Sequence, residues 1–237
     1  MIKPILFNTE MIQAILAGRK TVTRRVIKPH NPVKAAGEQY RQGVGLWIDP
    51  TTDNADNDGH IKDYSISPCW STFKWYLDKY APYHIGDILY VRETWAKVKG
   101  ESRYLYKADK VDFIYKELHS SWKWKPSIHM PKEAARIFLR VTNVSAARLH
   151  DITEEDAYRE GVMKAHDPTF NVDYWYYKSD QNYMNDKCWT ESARQCFLWG
   201  LWNGTLKSSK EYEAYNNNRN PWVWVIEFER TEKPNGI

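Results

Sequence analysis

The sequence predicts an α+β fold, in which a mixed sheet or small open barrel carries helices at its edge. Two segments, at 137–142 and 222–229, alternate between two sets of side chains with the two-residue period of a β-strand. The predicted helices are few and short, and the sequence has neither a βαβ rhythm nor an internal repeat. We therefore expect one domain that spans residues 1–237.

The N-terminal segment predicts a strand, a helix and then a cluster of cations. A short strand at 5–7 precedes a helix that Asn8 or Thr9 caps and that ends at Gly18. The next residues, "RKTVTRR", contain four cations and two threonines at 19–25. This dense positive charge makes the segment the first candidate for a functional site.

The middle of the chain predicts further strands and a helix. The segment "GDILYV" predicts a turn followed by a strand at 88–91, with the segment at 103–109 as a candidate antiparallel neighbour. Thr153 and Asp156 have the spacing of a capping box, which predicts a short helix that ends before Gly161.

Three segments interrupt these elements and are interpreted as long insertions, at about 28–83, 97–130 and 164–188. The first is rich in Pro, Gly, Asn and Asp and lacks periodicity, and the third is rich in Tyr. A further helix is predicted at about 190–202. The insertions are expected to decorate the core or to cover a cleft.

Composition favours a local contact with nucleic acid over a strongly basic duplex-binding surface. The net charge of +4 comes from 34 basic and 30 acidic residues, which is a mild excess. The 12 Trp and 16 Tyr either stack on bases from exposed positions or pack beneath the long loops. Both interpretations of the aromatic residues stay open.

The sequence gives no support for a metal, a cofactor or a membrane segment. Three cysteines without a CxxC pair, and histidines without HxH or HExxH spacing, argue against a zinc site and a disulfide framework. P-loop, GxGxxG and GxSxG motifs are absent. No signal peptide or membrane-spanning segment is recognisable, so we expect a soluble cytoplasmic protein of undetermined oligomeric state.

Lys20 and Thr23 are the first candidates for chemistry. Neighbouring cations and partial burial disfavour a charged Lys20 amine, which could then act as a base or nucleophile. The alternative is a solvated cationic loop that offsets the dipole of the preceding helix. Thr23 reaches the same point as Lys20 only if the segment between them is a turn or an irregular loop.

Two carboxylates are candidates for the acidic residue that would act together with Lys20 and Thr23. Glu93 lies at the end of the predicted strand at 88–91, and Glu160 lies in the last turn of the short helix. Either could instead pair with the arginine beside it, Arg92 or Arg159. The residues alone do not decide between the two.

Four stretches give the sequence a resemblance to the ASCH family of the PUA-like superfamily: "ILAGRKTVTRR", "GDILYV", "FLRVTNVSAARLHDITEEDAYREGV" and "WVWVIEF". The first contains the family's Gly-x-Lys and Thr-x-Arg pattern. The resemblance implies a small PUA-like mixed β-barrel with flanking helices. The chain is most similar to the longer ASCH proteins of bacteriophages and prophages.

A compact bacterial branch of this family consists of amidohydrolases that remove the acetyl group from acetylcytidine. By resemblance to that branch, the catalytic residues are Lys20, Thr23 and Glu160, which favours Glu160 over Glu93. The candidate substrate-binding residues are Arg19, Arg24, Arg25, Glu93 and Trp95. The chain is more than twice as long as the compact enzymes and has Arg24 where they have an apolar residue.

Three functions are compatible with this resemblance. The first is binding of a nucleoside or single-stranded nucleic acid in an ASCH cleft, with hydrolysis of an acyl amide on modified cytidine. The second is a non-catalytic reader of RNA or modified DNA, and the third is a phage protein that docks a host protein. Binding takes precedence, because catalysis requires a correct proton path in addition.

Overall fold

The structure is a computed structural model, and it describes seven ranges of the chain: residues 1–28, 60–63, 69–72, 81–98, 100–109, 123–177 and 190–234. Most of the insertion predicted at 28–83 lies outside these ranges, as do parts of the other two insertions. The described residues contain several sheets and a few helices, which confirms the predicted α+β class.

The main element is a five-stranded mixed sheet. Its strands are β1 (Ile2–Leu6), β2 (Val22–Val26), β5 (Ile88–Arg92), β8 (Phe138–Arg148) and β11 (Trp222–Thr231). Their order across the sheet is β1, β5, β8, β11, β2. β1 runs parallel to β5, and the other neighbours are antiparallel. Backbone pairing leaves β1 and β2 as the two edges, so the described strands form no closed barrel.

In the described part of the chain, three two-stranded hairpins accompany the main sheet. Their strands are β3 (His60–Asp63) with β4 (Cys69–Thr72), β6 (Trp95–Lys97) with β7 (Tyr104–Tyr106), and β9 (Met163–Asp167) with β10 (Val172–Tyr176). The predicted neighbour of β5 therefore pairs elsewhere: β7 lies against β6. The reason is that β1 and β8 occupy both sides of β5, which leaves that strand no free edge.

The helices are short, as the sequence predicted. They are α1 (Thr9–Leu16), α2 (Glu154–Arg159), α3 (Ala193–Gln195), which continues as a π-helical segment at Cys196–Trp202, and α4 (Ser209–Tyr215). Short 3₁₀ turns cover Lys107–Asp109, Ser127–His129, Lys132–Ala134, Leu149–Asp151, Asn203–Thr205 and Asn217–Arg219. Across the described ranges, none of the helices has the length and apolar character needed to span a bilayer.

Two predicted helix caps are present. The Asn8 side chain accepts a hydrogen bond from the backbone N–H of Met11 at 2.8 Å, which starts α1 directly after β1. The Thr153 hydroxyl accepts from the backbone N–H of Asp156 at 3.0 Å and starts α2. These caps fix where the two helices begin, and both helices lead to the residues of the candidate site.

The core lies between α1 and the main sheet. Met11, Ile12 and Ile15 lie on the buried face of α1 and belong to one cluster with buried residues of β8 and β11. Each fully buried side chain of this size contributes roughly 1.5–3 kcal/mol. The opposite face of β8 is also covered near its start, where Phe138 joins a second cluster with Trp95.

The two edge strands of the sheet are linked by a side chain. The Arg25 guanidinium on β2 donates a hydrogen bond of 2.8 Å from Nη2 to the backbone carbonyl of Leu6 on β1. The Arg25 guanidinium also lies 5.3 Å from the ring centroid of Phe7. The sheet therefore curves enough for one arginine to bridge its edges, and the space beside that bridge forms the cleft described below.

Candidate functional site

Lys20 and Glu160 form a buried ion pair. The Lys20 amine donates to Glu160 Oε2 at 2.5 Å, to the Glu160 carbonyl at 2.9 Å and to the Val22 carbonyl at 2.8 Å. Lys20 is 2 % exposed, and so is Glu160. An ammonium group has three N–H donors, so each of its protons has an acceptor.

Arg24 completes the network around Glu160. Its guanidinium donates to Glu160 Oε1 at 3.2 Å and to Asp156 Oδ2 at 2.9 Å. Strand β2 is thereby tied to helix α2 through two carboxylates. The neighbouring Arg159 does not pair with Glu160, since its guanidinium binds Glu227 of β11.

The position of Glu160 depends on the glycine that follows it. Gly161 has a φ of +105°, a region that side chains strongly disfavour. A Cβ atom at this position would lie 2.8 Å from the Cβ of Ala14 in α1, which is too close. The absence of a side chain at Gly161 thus lets the end of α2 approach α1 and place Glu160 against Lys20.

Burial and charge act in opposite directions on Lys20. Burial lowers the pKa of its amine, the Glu160 carboxylate raises it, and the Arg25 and Arg24 guanidinium groups lower it further. The three acceptors around the amine nevertheless fit its protonated form. In this arrangement Lys20 is a satisfied ammonium group and not a free base.

Thr23 lies in β2, opposite Ile226 of β11, and is 1 % exposed. The irregular loop that the sequence required for joint action ends before it, because β2 begins at Val22. Within the described ranges the Thr23 hydroxyl makes no hydrogen bond, to Lys20 or to another group. The structure thus brings Lys20 and Glu160 together but does not hydrogen-bond Thr23 to them.

A cleft of about 460 Å³ lies beside the candidate catalytic residues, at the start of α1. Two aromatic rings and three charged side chains line it, with several hydroxyl groups. The lining residues are Ile5, Leu6, Phe7, Asn8, Thr9, Glu10, Met11, Arg25, Tyr83, Thr94, Ser127, Gly204, Thr205 and Lys207. Its volume is in the range of small-molecule sites, which is roughly 300–1,000 Å³.

Phe7 separates this cleft from the buried ion pair. Phe7 is one of the residues that line the cleft, although it is 4 % exposed, whereas Lys20, Thr23 and Glu160 do not line it. The Lys20 amine lies 5.7 Å from the Phe7 ring centroid. The three predicted catalytic residues therefore lie behind the cleft wall and not on its surface.

Of the five predicted substrate-binding residues, only Arg25 lines the cleft. Arg19 donates to the Gly161 carbonyl at 3.1 Å, and Arg24 belongs to the network around Glu160. Glu93 is held by Arg136 at 2.9 and 3.1 Å. Trp95 is 5 % exposed and packs edge-on against Tyr104.

The environment of Glu93 is that of a structural ion pair. Burial raises the pKa of its carboxyl, and the bidentate Arg136 opposes that change. Arg136 also pairs with Asp109 at 2.7 Å and lies 4.0 Å from the ring centroid of Tyr106. Pairing of Glu93 with Arg92, one of the alternatives that the sequence left open, does not occur, because the Arg92 guanidinium donates to the backbone carbonyls of Met130 and Ile128.

Sequence reasoning missed most of the cleft. Phe7 and Glu10 flank the predicted helix cap, so the predicted turn between β1 and α1 is the local feature that could have indicated these two residues. Tyr83 and Lys207 come from separate segments of the chain and carry no local signal.

Neither a metal site among the described residues nor a match to a known protein identifies the function of this cleft. Within the described ranges, no group of three or more His, Cys, Asp or Glu side chains could hold a metal ion. No family model, curated protein or solved structure matches the chain. The resemblance to the ASCH family therefore remains a prediction.

Proposed function

We propose that the protein binds a nucleoside or a short single-stranded nucleic-acid segment in the cleft between β1 and β2. The observation that carries this proposal is the lining of the cleft, which combines the cations Arg25 and Lys207 with the half-buried ring of Tyr83 and the buried side chain of Phe7. Cations and aromatic rings are the groups that bind the phosphates and bases of single strands.

Arg25 has donors to spare for a ligand. A guanidinium group has five N–H donors, and among the described residues Leu6 supplies the one acceptor for Arg25. The remaining donors suit the oxygens of a phosphate or the acceptor atoms of a base. Lys207, from the loop before α4, adds a second cation to the cleft.

The two aromatic rings are held in place before any ligand arrives. The Tyr83 hydroxyl donates to the Pro4 carbonyl at 2.9 Å, and burial raises the pKa of this phenol, so it stays neutral. The ring centroids of Phe7 and Phe228 lie 6.1 Å apart. Phe7 is 4 % exposed, so the half-buried Tyr83 is the ring that provides a stacking surface, at little entropic cost.

The resemblance to the ASCH family supports the same position for the site. Arg25 is the arginine of the Thr-x-Arg pattern, and it is the motif residue that lines the cleft. The proposal includes a PUA-like barrel, which the Arg25 bridge between the edges β1 and β2 supports.

Titration of short single-stranded RNA and DNA across a salt series tests the proposal. We expect binding that weakens as salt rises, because phosphate contacts release counterions. Arg25→Ala is expected to weaken binding about tenfold or more. The matched control is Arg140→Ala, which removes an exposed cation of β8 outside the cleft. No binding by the wild type, or equal affinity for Arg25→Ala, would contradict the proposal.

Hydrolysis of an acyl amide on cytidine is the second candidate function, and the Lys20 and Glu160 contact favours it. In this reaction Lys20 passes a proton to Glu160 and then takes a proton from water, which attacks the amide carbonyl. The Thr23 hydroxyl donates to the tetrahedral oxygen, and Glu160 gives its proton to the leaving amine. The Phe7 ring must turn aside for the substrate to reach Lys20.

Chromatography for cytidine released from acetylcytidine tests this second function. Lys20→Arg keeps the positive charge beside Glu160 but cannot act as a base, because guanidinium groups stay protonated. Release by the wild type and none by Lys20→Arg is the expected result. Equal release by both proteins would exclude Lys20 as the base.

A further inference from the structure

Two exposed lysines, Lys97 and Lys125, lie over aromatic rings beside the cleft and form what we call the lysine surface. The Lys125 amine lies 5.0 Å from the ring centroid of Trp95. The Lys97 amine lies 5.8 Å from the ring centroid of Tyr104. Among the described residues, neither lysine forms an ion pair or donates a side-chain hydrogen bond. The ring below each ammonium group holds the side chain in place and leaves its N–H donors for a ligand.

The backbone places both lysines next to the cleft, which Thr94 and Ser127 help to line. Trp95 directly follows Thr94 and exchanges two backbone hydrogen bonds with Lys125, of 3.2 and 2.7 Å. Lys125 and Ser127 are two residues apart, so their Cα atoms lie within about 7 Å of each other. Lys97 comes two positions after Trp95 on the same face of β6, roughly 7 Å further along the strand from Thr94. The lysine surface therefore begins at the rim of the cleft.

The carboxylates of the β6–β7 hairpin and its flanks are paired with arginines. Arg136 holds Glu93 and Asp109, at 2.9 and 2.7 Å. Glu101, between β6 and β7, pairs with Arg103 at 3.3 Å. These acids therefore do not neutralise the lysine surface, which extends the positive charge of the cleft.

We infer that the lysine surface binds the phosphates of a single strand whose end lies in the cleft, so that the ligand is an oligonucleotide and not a free nucleoside. The cleft has a volume of about 460 Å³, which is that of a small-molecule site, so further nucleotides of a strand have to leave it across its rim. Lysine binds phosphate as a point charge, and such contacts do not depend on base sequence. This inference rests on the proposed function and names its ligand class.

A lysine over a ring can also stabilise the fold alone, and a matched contact separates the two roles. The Lys164 amine lies 5.7 Å from the ring centroid of Trp175 on the β9–β10 hairpin, but it also pairs with Asp173 at 2.6 Å. Lys164→Gln therefore removes the same kind of contact between a lysine and a ring, but a charge that a carboxylate already neutralises.

The test is a titration of a single-stranded oligonucleotide of about eight nucleotides, and of a mononucleotide, across a salt series. In the double variant Lys97→Gln with Lys125→Gln, we expect the oligonucleotide to bind at least about fivefold more weakly. The slope of log K against log salt is expected to become shallower by about 1.4, because each phosphate contact on a single strand contributes about 0.7. Affinity for the mononucleotide is expected to stay at the wild-type value.

Two controls accompany the double variant. Lys97→Arg with Lys125→Arg keeps both charges and is expected to keep the wild-type slope. Lys164→Gln is expected to keep both the slope and the affinity. Thermal unfolding of each variant shows whether the fold is retained.

The outcomes distinguish this inference from the proposed function. If the glutamine double variant keeps the wild-type slope, if Lys164→Gln loses as much, or if the wild type binds the mononucleotide as tightly as the oligonucleotide, the inference is overturned while binding in the cleft stands. If binding to phosphatidylserine vesicles depends on the two lysines and binding to the oligonucleotide does not, the surface contacts a membrane and the inference is also overturned. If the wild type binds neither nucleotide ligand, the proposed function and this inference both fail.

Discussion

The Lys20 amine and the Glu160 carboxylate lie 2.5 Å apart, although 140 residues separate them in the chain. Lys20 belongs to the loop between α1 and β2, and Glu160 lies at the end of α2. The ion pair therefore holds the end of α2 against this loop. Both side chains are buried, and neither lines the neighbouring cleft. The pair therefore supports the cleft from behind, with the Phe7 ring between the Lys20 amine and the ligand space.

Lys20→Met is expected to destabilise the protein strongly. It leaves the Glu160 carboxylate buried with Arg24 as its remaining cation, and removal of one partner from a buried pair costs about 3–5 kcal/mol. The measurement is the free energy of unfolding in urea. Lys28→Met is the control, since its pair with Glu211 is exposed and should contribute less than about 1 kcal/mol. Equal losses in the two variants would contradict the structural role of Lys20.

Gly161→Ala is expected to destabilise the protein more than Gly18→Ala. Both glycines have positive φ, so an alanine is strained at either position, by about 1–2 kcal/mol. Only at Gly161 does the new methyl group also meet the Cβ of Ala14, whereas nothing lies within 4 Å at Gly18. Thermal unfolding of both variants measures the difference. If Gly161→Ala lowers the melting temperature no more than Gly18→Ala does, α1 and α2 are not packed as closely as described.

Asp87 is expected to link stability to acid pH. Burial alone raises the pKa of its carboxyl, but hydrogen bonds from Lys3, the amino group of Met1 and the backbone N–H of His84 outweigh burial and lower it to about 2. A carboxyl whose pKa is lower in the folded state stabilises the fold above its unfolded pKa of about 3.9. That contribution, about 2 kcal/mol, is lost as the pH falls through about 2.

The corresponding measurement is the free energy of unfolding from about pH 5 to about pH 2 for the wild type and Asp87→Asn. The variant is expected to be less stable at the upper end and to show a flatter pH dependence. Glu155→Gln removes an exposed carboxylate and should keep the wild-type slope. An unchanged slope in Asp87→Asn would show that other carboxyl groups control acid unfolding.

Lys20 is expected to resist chemical modification in the native protein. Its amine is shielded by Phe7 and bound to three acceptors, whereas Lys207 is exposed at the mouth of the cleft. Brief treatment with an amine-acylating reagent, followed by peptide mass spectrometry, should therefore label Lys207 and spare Lys20. Phe7→Ala should raise labelling of Lys20 relative to Lys207. Comparable labelling of both lysines in the wild type would show that the amine is open to the cleft.

Local patterns predicted the elements of the fold, because strand alternation and helix caps depend on neighbouring residues. The strand at 88–91, the caps at Asn8 and Thr153 and the strand at 222–229 are present for this reason. The pairing of β7 was wrong, since strand neighbours depend on which edges other strands have already taken.

The candidate site was predicted less completely than the fold. The contact between Lys20 and Glu160 was expected through a family resemblance, and no spacing in the sequence required it. Burial of the pair behind Phe7 depends on how α1, α2 and β1 pack together. Tyr83 and Lys207 reach the cleft through long-range packing, which one sequence does not reveal.

Amide chemical-shift mapping tests the central claim most directly, because it locates a ligand on the molecule. On addition of cytidine monophosphate to the labelled protein, we predict that the largest shifts fall on residues 5–11, Arg25 and Tyr83, which line the cleft. Arg25→Ala should reduce those shifts at the same nucleotide concentration. Shifts confined to other surfaces, or none at saturating nucleotide, would contradict the cleft as the binding site.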